Sequence, residues 1–154
     1  KTPILDSVLS TNRDRPNKII SIIDSILPNL DGLKITILGV SFKPDTDDIR
    51  ESPALDVMRL LEKRGAKVTA YDPQVKLESL QKIGINNVSL TTSIEDSLND
   101  SSAAVLLTKW PELKKINQEF LSRCMKNPVI VDGRGYLNKN DFSNHSYFKI
   151  GYVQ

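Results

Sequence analysis

A strand–helix–strand unit in the first half of the chain constrains the fold more than any other feature of the sequence. Residues 34–40 are a run of mostly β-branched and apolar residues, which is typical of a buried strand. After a polar loop, Ser52 can cap a helix that has Pro53 at its first position and ends at Gly65. Residues 66–71 form a second strand. Because two strands joined through a helix run parallel, this unit predicts a parallel sheet.

The same alternation of strands and helices continues through the second half of the chain. Short apolar or β-branched runs alternate there with segments of helical spacing. The further predicted strands are residues 87–90, 102–108, 128–132 and, at an edge of the sheet, 147–150; the further predicted helices are 75–83, 93–98 and 112–124. We therefore predict an α/β fold, a Rossmann-like three-layer sandwich with a mainly parallel sheet.

A short helical linker is predicted to precede this domain. Residues 12–16 are polar and end in a proline, which favours a helix end or a connector. Over residues 17–27 the isoleucines recur close to the helical period, so we predict an amphipathic helix that ends before Pro28. The predicted division is a linker part over residues 1–30, with the end of a linking or dimerisation helix and the first helix, and a Rossmann-like domain over residues 31–154.

Composition and charge exclude several classes of protein. Of the 154 residues, 39% are hydrophobic and 26% are charged, as in an ordinary globular domain. The net charge of +2 is too small to indicate a nucleic-acid partner, and no apolar run is long enough to cross a membrane, so we expect a cytoplasmic protein. Cys124, the only cysteine, is expected to be a small buried hydrophobe, and His145, the only histidine, a surface residue.

Four cationic side chains are predicted to gather at one edge of the sheet. Lys43 and Arg50 follow the first strand, Lys109 follows the fourth strand, and Arg134 follows the fifth. In an open parallel sheet, ligands bind beyond the carboxyl ends of the strands. A cationic rim on a nearly neutral protein predicts an anionic ligand, and a phosphate-bearing one in particular.

The residues beside this rim leave two alternatives open. The turn after the first strand has one glycine, Gly39, so the glycine pattern that brings a backbone close to a dinucleotide pyrophosphate is absent from it. Asp72 either binds a ribose or caps the turn before Pro73. Trp110 either stacks on a base or packs in the core.

The polar loop over residues 41–51 is longer than an ordinary connection between a strand and a helix. Its three aspartates, Asp45, Asp47 and Asp48, either satisfy turns and the following helix N-terminus or hold a metal ion. The two cations in the same loop argue against a metal, so no metal site is predicted.

The same loop carries a resemblance to a known family. Residues 39–55 strongly resemble the C-terminal, nucleotide-sugar-binding domain of the UDP-glucose/GDP-mannose dehydrogenase family. Residues 12–16 also resemble the end of the linking helix of that family, so the resemblance covers nearly the whole chain. Shorter matches lie at residues 65–68, 71–73, 108–113 and 131–134.

The resemblance implies that this chain is one part of a larger enzyme. In the family, an N-terminal Rossmann domain holds NAD and a central helical segment makes the dimer. A cysteine that precedes the C-terminal domain carries the thiohemiacetal and the thioester of two successive hydride transfers. Cys124 does not align with that cysteine, so the resemblance implies no catalytic residue in this chain.

The resemblance also implies roles for individual residues. Lys43, with Phe42 beside it, is expected to hold the nucleotide sugar, and Arg50 is expected to reach across to the NAD. Arg134 is expected to contact the nucleotide-phosphate part of the substrate. Gly135 departs from the pattern, because many family members have an asparagine after that arginine.

The expected function is therefore that of the substrate-binding domain of an NAD-dependent nucleotide-sugar 6-dehydrogenase, of the UDP-glucose 6-dehydrogenase type. The resemblance implies a UDP-sugar or GDP-sugar substrate, NAD bound mainly by the missing N-terminal domain, a homo-oligomer in the full-length protein, and a role in polysaccharide biosynthesis. The alternative is a stand-alone Rossmann-like nucleotide-binding or interaction module without redox activity.

Overall fold

The computed structural model describes residues 3–143 and 145–150, with side chains from residue 14 onward. The described chain has one sheet of six strands, all parallel, in the order β3-β2-β1-β4-β5-β6. This confirms the predicted Rossmann-like α/β fold. The strands are β1 (Lys34–Leu38), β2 (Lys67–Tyr71), β3 (Val88–Thr91), β4 (Ala103–Leu106), β5 (Ile130–Asp132) and β6 (Tyr147–Lys149).

Helices cover both faces of the sheet and make the predicted three layers. Ile37 and Val105 face the helices α1 to α3, whereas the next residue on each strand, Leu38 or Leu106, faces α4 and α5. This alternation buries the sheet on both sides, as parallel sheets require. The helices are α1 (Pro3–Ile26), α2 (Pro53–Glu62), α3 (Leu77–Gln81), α4 (Ile94–Leu98) and α5 (Gln118–Cys124).

The first helix corrects the expected connector at residues 12–16. One helix, α1, runs through Pro16 without ending there. A proline inside a helix removes one backbone hydrogen bond and crowds the preceding turn. The buried side chains of Ile19, Ile20 and Ile23 pack against the domain and hold the next two turns in helical form. The outermost residues of the two predicted parts, 1–2 and 151–154, lie outside the described residues.

The predicted helix over residues 112–124 is also wrong in part, because the structure divides it. Pro111–Lys115 forms a short 3₁₀ helix, and α5 begins only after Asn117. The Oδ1 atom of Asn117 accepts a hydrogen bond of 2.8 Å from the backbone N–H of Phe120. Asparagine at this place therefore starts a new helix instead of continuing the earlier one.

Ser52 caps α2 as predicted, and its hydroxyl also makes a second hydrogen bond. The Oγ atom of Ser52 accepts a hydrogen bond from the backbone N–H of Ala54 and donates one of 2.7 Å to the carbonyl oxygen of Val40. The hydroxyl thus ties the start of α2 to the chain that leaves β1. Both ends of the long loop between β1 and α2 are consequently held together.

Candidate functional site

The candidate site lies where the order of the strands reverses. β1 lies between β2 and β4 in the sheet. The chain first adds β2 and β3 on one side of β1, and it then adds β4, β5 and β6 on the other side. Backbone hydrogen bonds join the strand ends on that second side, from Leu107 to Leu38 and from Gly133 to Leu106. The loops after β1, β4 and β5 are therefore neighbours beyond the carboxyl ends of the strands, where open α/β sheets bind ligands.

Gly39 is required by the neighbouring loop. Its φ is +90°, and a Cβ atom there would lie 2.7 Å from the backbone nitrogen of Thr108. The Thr108 hydroxyl donates a hydrogen bond of 2.6 Å to the carbonyl oxygen of Ser41. The single glycine of this turn thus allows the β1 and β4 loops to touch each other.

Asp72 is a structural residue. It is fully buried, and its Oδ2 atom accepts hydrogen bonds from the backbone N–H groups of Val40 and Ser41 and from the indole N–H of Trp110. Its Oδ1 atom accepts two more from the backbone of its own turn. Of the two alternatives for Asp72, the structure therefore favours the turn cap, because five donors already engage both oxygens.

Trp110 belongs to the core. Only 3% of this residue is exposed, and its indole N–H is committed to Asp72 at 3.2 Å. Of the two alternatives for Trp110, the structure favours core packing, because neither ring face is open to a base.

Asp132 organises the loop after β5 in a similar way. It is fully buried, and its Oδ1 atom accepts a hydrogen bond from the backbone N–H of Arg134 at 3.0 Å. Its Oδ2 atom accepts hydrogen bonds from the backbone of Tyr136 and Leu137 and from the hydroxyl of Tyr147. Burial, and then the Asp132 charge, raise the pKa of Tyr147, so this hydroxyl remains a donor. Three backbone bonds to one carboxylate fix the path of the loop.

A cavity of about 330 Å³ opens beside this loop, and we call it the cationic cavity. Among the described residues, no carboxylate lies within salt-bridge distance of its basic side chains. Burial, and then repulsion from Arg15, lower the pKa of Arg134, which Asp132 opposes. Such a concentration of positive charge favours an anionic ligand. The cavity is lined by Arg15, Lys109, Asp132, Gly133, Arg134, Gly135, Lys149 and Ile150.

The loop over residues 41–51, which we call the β1 loop, differs from the cationic cavity because its arginine is paired with a carboxylate. Arg50 is exposed, and its guanidinium donates hydrogen bonds of 2.9 Å and 2.7 Å to the two carboxylate oxygens of Asp48. These bonds lower the pKa of Asp48 to about 2, with a small contribution from the charge of Lys43. Phe42 is 49% exposed, and Lys43 is exposed as well. The cation of Arg50 is thus neutralised inside its own loop.

The predicted rim divides into two parts. Lys109 and Arg134 line the cationic cavity together, whereas Lys43 and Arg50 lie on the β1 loop and are not among the residues that line it. The cavity gains two cations that the sequence analysis missed, Arg15 on α1 and Lys149 on β6. Arg15 precedes the buried Ile19 by four residues and so lies on the same face of α1. A cation on the buried face of this helix was the sequence feature that could have predicted its place in the cavity.

The remaining candidates have simpler environments. Cys124 is half-buried and packs beside the apolar core, where burial raises the pKa of its thiol, and His145 is exposed. Among residues 3–143 and 145–150, no group of three or more His, Cys, Asp or Glu side chains could hold a metal ion. None of the helices in the same residues is both long and apolar enough to span a membrane.

Comparisons with known proteins identify relatives of this arrangement. The model of the UDP-glucose/GDP-mannose dehydrogenase family, UDP binding domain, matches residues 36–139. UDP-glucose 6-dehydrogenase TuaD of Bacillus subtilis is 32% identical over 150 residues, which are 96% of this chain and 32% of that protein. The UDP-glucose 6-dehydrogenase of Rhizobium meliloti is 35% identical over 116 residues, which are 75% of this chain and 26% of that protein.

Solved structures show the same relation. A UDP-glucose dehydrogenase from the archaeon Pyrobaculum islandicum matches with a TM-score of 0.73 and 26% identity, over 92% of this chain and 32% of that one. The UDP-N-acetyl-mannosamine dehydrogenase Cap5O of Staphylococcus aureus matches with a TM-score of 0.70 and 29% identity, over 89% of this chain and 30% of that one. The chain therefore spans about a third of the length of these relatives.

Proposed function

The chain belongs to the UDP-glucose/GDP-mannose dehydrogenase family, as its C-terminal UDP-binding domain, and on this premise we propose that the cationic cavity binds the diphosphate of a nucleotide sugar. The observation that carries this proposal is the charge of the cavity. Arg15, Lys109, Arg134 and Lys149 line one space, and no carboxylate among the described residues pairs with them. A diphosphate supplies the missing negative charge.

The geometry of the loop over residues 133–137, which we call the β5 loop, supports this assignment. Because Asp132 accepts hydrogen bonds from the backbone N–H groups of Arg134 and Tyr136, the backbone that carries the guanidinium is already ordered and loses less freedom on binding. A guanidinium can donate two parallel hydrogen bonds to a phosphate group, whereas a lysine donates as a point charge. Arg134 is therefore the proposed principal ligand of the phosphates, and Lys109 assists it.

The β1 loop has a proposed role at the border of the site. The exposed side chains of Phe42 and Lys43 are available to the sugar end of the substrate or to the rest of the protein. Arg50 can leave Asp48 readily, because its side chain is exposed and water screens the ion pair. We accordingly propose that Lys43 and Phe42 contact the nucleotide sugar and that Arg50 contacts an NAD molecule bound outside this chain.

The proposal for the whole protein follows from its relatives. It is an NAD-dependent UDP-sugar 6-dehydrogenase, a cytoplasmic homo-oligomer of polysaccharide biosynthesis, which oxidises the C6 alcohol of the sugar to a carboxylate in two hydride transfers. In this proposal the NAD domain and the catalytic cysteine belong to other parts of the whole protein, and no residue of this chain is catalytic. The chain by itself should bind a nucleotide sugar without oxidising it.

Titration calorimetry of the full chain with UDP tests the proposal. We expect UDP to bind, and we expect Arg134→Met to weaken binding at least tenfold, since a charge-assisted hydrogen bond contributes about 1.5–3 kcal/mol. Arg59→Met is the matched control, because Arg59 is an exposed arginine on α2 that is paired with Asp56. The proposal is wrong if the unaltered chain does not bind UDP, or if both variants bind it like the unaltered chain.

A further inference from the structure

Gly135 and Lys149 are in direct contact at the cationic cavity. Gly135 has a φ of +58°, and a Cβ atom built on it would lie 2.5 Å from the Cε atom and 2.9 Å from the Nζ atom of Lys149. The end of the lysine side chain thus occupies the volume that any side chain at position 135 would need. A glycine at this position adopts the left-handed backbone conformation without strain, and it also leaves space for the side chain of Lys149.

Lys149 lies on a strand and not on one of the loops that follow β1, β4 and β5. It is the last residue of the edge strand β6, where it pairs in register with Asp132 of β5. The Asp132 carboxylate accepts hydrogen bonds from three backbone N–H groups and the Tyr147 hydroxyl, and it forms no ion pair with Lys149. Within the described part of the chain, no ion pair ties the ammonium group of Lys149 to a carboxylate, so the group is available to a ligand in the cavity.

We infer that Lys149 is a phosphate-binding residue of the cationic cavity, and that Gly135 makes this possible by leaving the space through which the lysine reaches the site. The inference rests on the proposed function and deepens it. Lys149 adds a further positive charge to the cavity, beside the charges of Arg134 and Lys109 on the neighbouring loops. Because a diphosphate has one more phosphate than a monophosphate, the additional cation should favour the diphosphate.

The inference assigns a specificity role to the pair of residues 135 and 149. A larger residue at position 135 would push the lysine end away and lower the positive charge of the cavity. Asparagine is the suitable substitution, since it tolerates the left-handed conformation that Gly135 adopts. Gly135→Asn should therefore reproduce the loss of Lys149 without unfolding the loop.

The experiment is titration calorimetry of the full chain with UDP, UMP and inorganic pyrophosphate. Lys149→Met retains the length of the side chain and removes its charge. We expect it to weaken UDP and pyrophosphate binding about tenfold and UMP binding less than about threefold, as for the loss of one charge-assisted contact. Gly135→Asn should have a similar effect, and the double variant should bind no more weakly than either single variant, because both remove the same contact.

Two controls separate this inference from its premise. Lys67→Met removes an exposed strand lysine at the amino end of β2, away from the cavity, and should leave all three affinities unchanged. Arg134→Met should weaken UDP binding. If Arg134→Met weakens UDP binding and Lys149→Met does not, the inference is overturned and the proposed function stands. If Lys149→Met and Lys67→Met weaken binding equally, only net charge matters, and the inference is overturned. If the unaltered chain binds none of the three probes, both are overturned.

Discussion

The loops after β1 and β5 lie at the same edge of the sheet, and each has an aspartate and an arginine close together in sequence, yet the two aspartates bind different partners. In the β1 loop, the Asp48 carboxylate binds the guanidinium of Arg50, and the exposed pair is neutral. Beside the β5 loop, the Asp132 carboxylate at the end of β5 accepts hydrogen bonds from three backbone N–H groups of that loop. The guanidinium of Arg134 has no carboxylate partner among the described residues.

The difference shows how a fold can keep a cation available for a ligand. A buried carboxylate whose oxygens accept hydrogen bonds from backbone N–H groups and uncharged side chains stabilises a loop without forming an ion pair with the basic side chains beside it. Asp132 does this for the β5 loop, and Asp72 does the same for the first residues of the β1 loop. Farther along the β1 loop, Asp48 accepts one hydrogen bond from the backbone N–H of Arg50 and also forms an ion pair with the guanidinium of the same residue.

The largest expected effect is on the free energy of unfolding, when the same change from aspartate to asparagine is made at residue 132 and, separately, at residue 48. Asp132→Asn should lower the free energy of unfolding by about 3 kcal/mol, because an amide group cannot accept all four hydrogen bonds and its NH₂ would face buried donors. Asp48→Asn should lower it much less, because water screens an ion pair between exposed side chains. Urea denaturation of the two variants and the unaltered chain measures both values.

Equal losses in the two variants would contradict the comparison, since they would show that burial and backbone bonding do not distinguish the carboxylates. An additional readout is amide exchange at Tyr136 and Leu137, whose N–H groups donate to Asp132. Both amides should exchange slowly in the unaltered chain and faster in Asp132→Asn, whereas Asp48→Asn should leave them unchanged.

A smaller effect is expected from Tyr147 on β6, the one side chain that donates a hydrogen bond to Asp132 among the described residues. Tyr147→Phe removes the hydroxyl that donates a hydrogen bond of 2.9 Å to Asp132, and it retains the stacked contact with the ring of Phe142. The free energy of unfolding should fall by about 1.5 kcal/mol, as for one hydrogen bond to a charged group. Tyr136→Phe is the matched control, because no hydrogen bond of its hydroxyl is found among the described residues. A loss as large in Tyr136→Phe as in Tyr147→Phe would mean that this hydrogen bond does not support the loop.

Much of the fold could be predicted because local and global preferences agree in it. The cap at Ser52, the apolar run of β1 and the glycine after α2 all indicate the same strand–helix–strand unit, and the structure contains it. The predictions failed where two preferences compete. At Pro16 the packing of the following isoleucines prevails over the proline, and at Asn117 a local cap prevails over helical spacing.

The candidate site could be predicted only where chain order determines it. Lys109 and Arg134 each follow a strand, so parallel pairing was enough to bring them together. Lys149 enters the cavity through its contact with Gly135, which joins positions 14 residues apart in the sequence (149 − 135) and is visible only in three dimensions. The alternatives for Asp72 also stayed open for this reason, because its decisive donors lie on the loops after β1 and β4.

The smallest expected effect concerns the charge state of the β1 loop. The hydrogen bonds from Arg50 lower the pKa of Asp48 from the ordinary 3.8 to about 2. A carboxyl whose pKa is depressed by folding stabilises the fold above its unfolded value, and this contribution is lost as the pH falls from about 4 to about 2. Arg50→Gln should therefore raise the pKa of Asp48 towards 3.8, as followed by carboxyl NMR titration, and Arg59→Gln should not. A pKa that stays near 2 without Arg50 would mean that Lys43 or the loop backbone holds the carboxylate charged. The ion pair with Arg50 would then not be the main interaction of the Asp48 charge, and Asp48 would resemble Asp132 more closely than the contrast between the two loops allows.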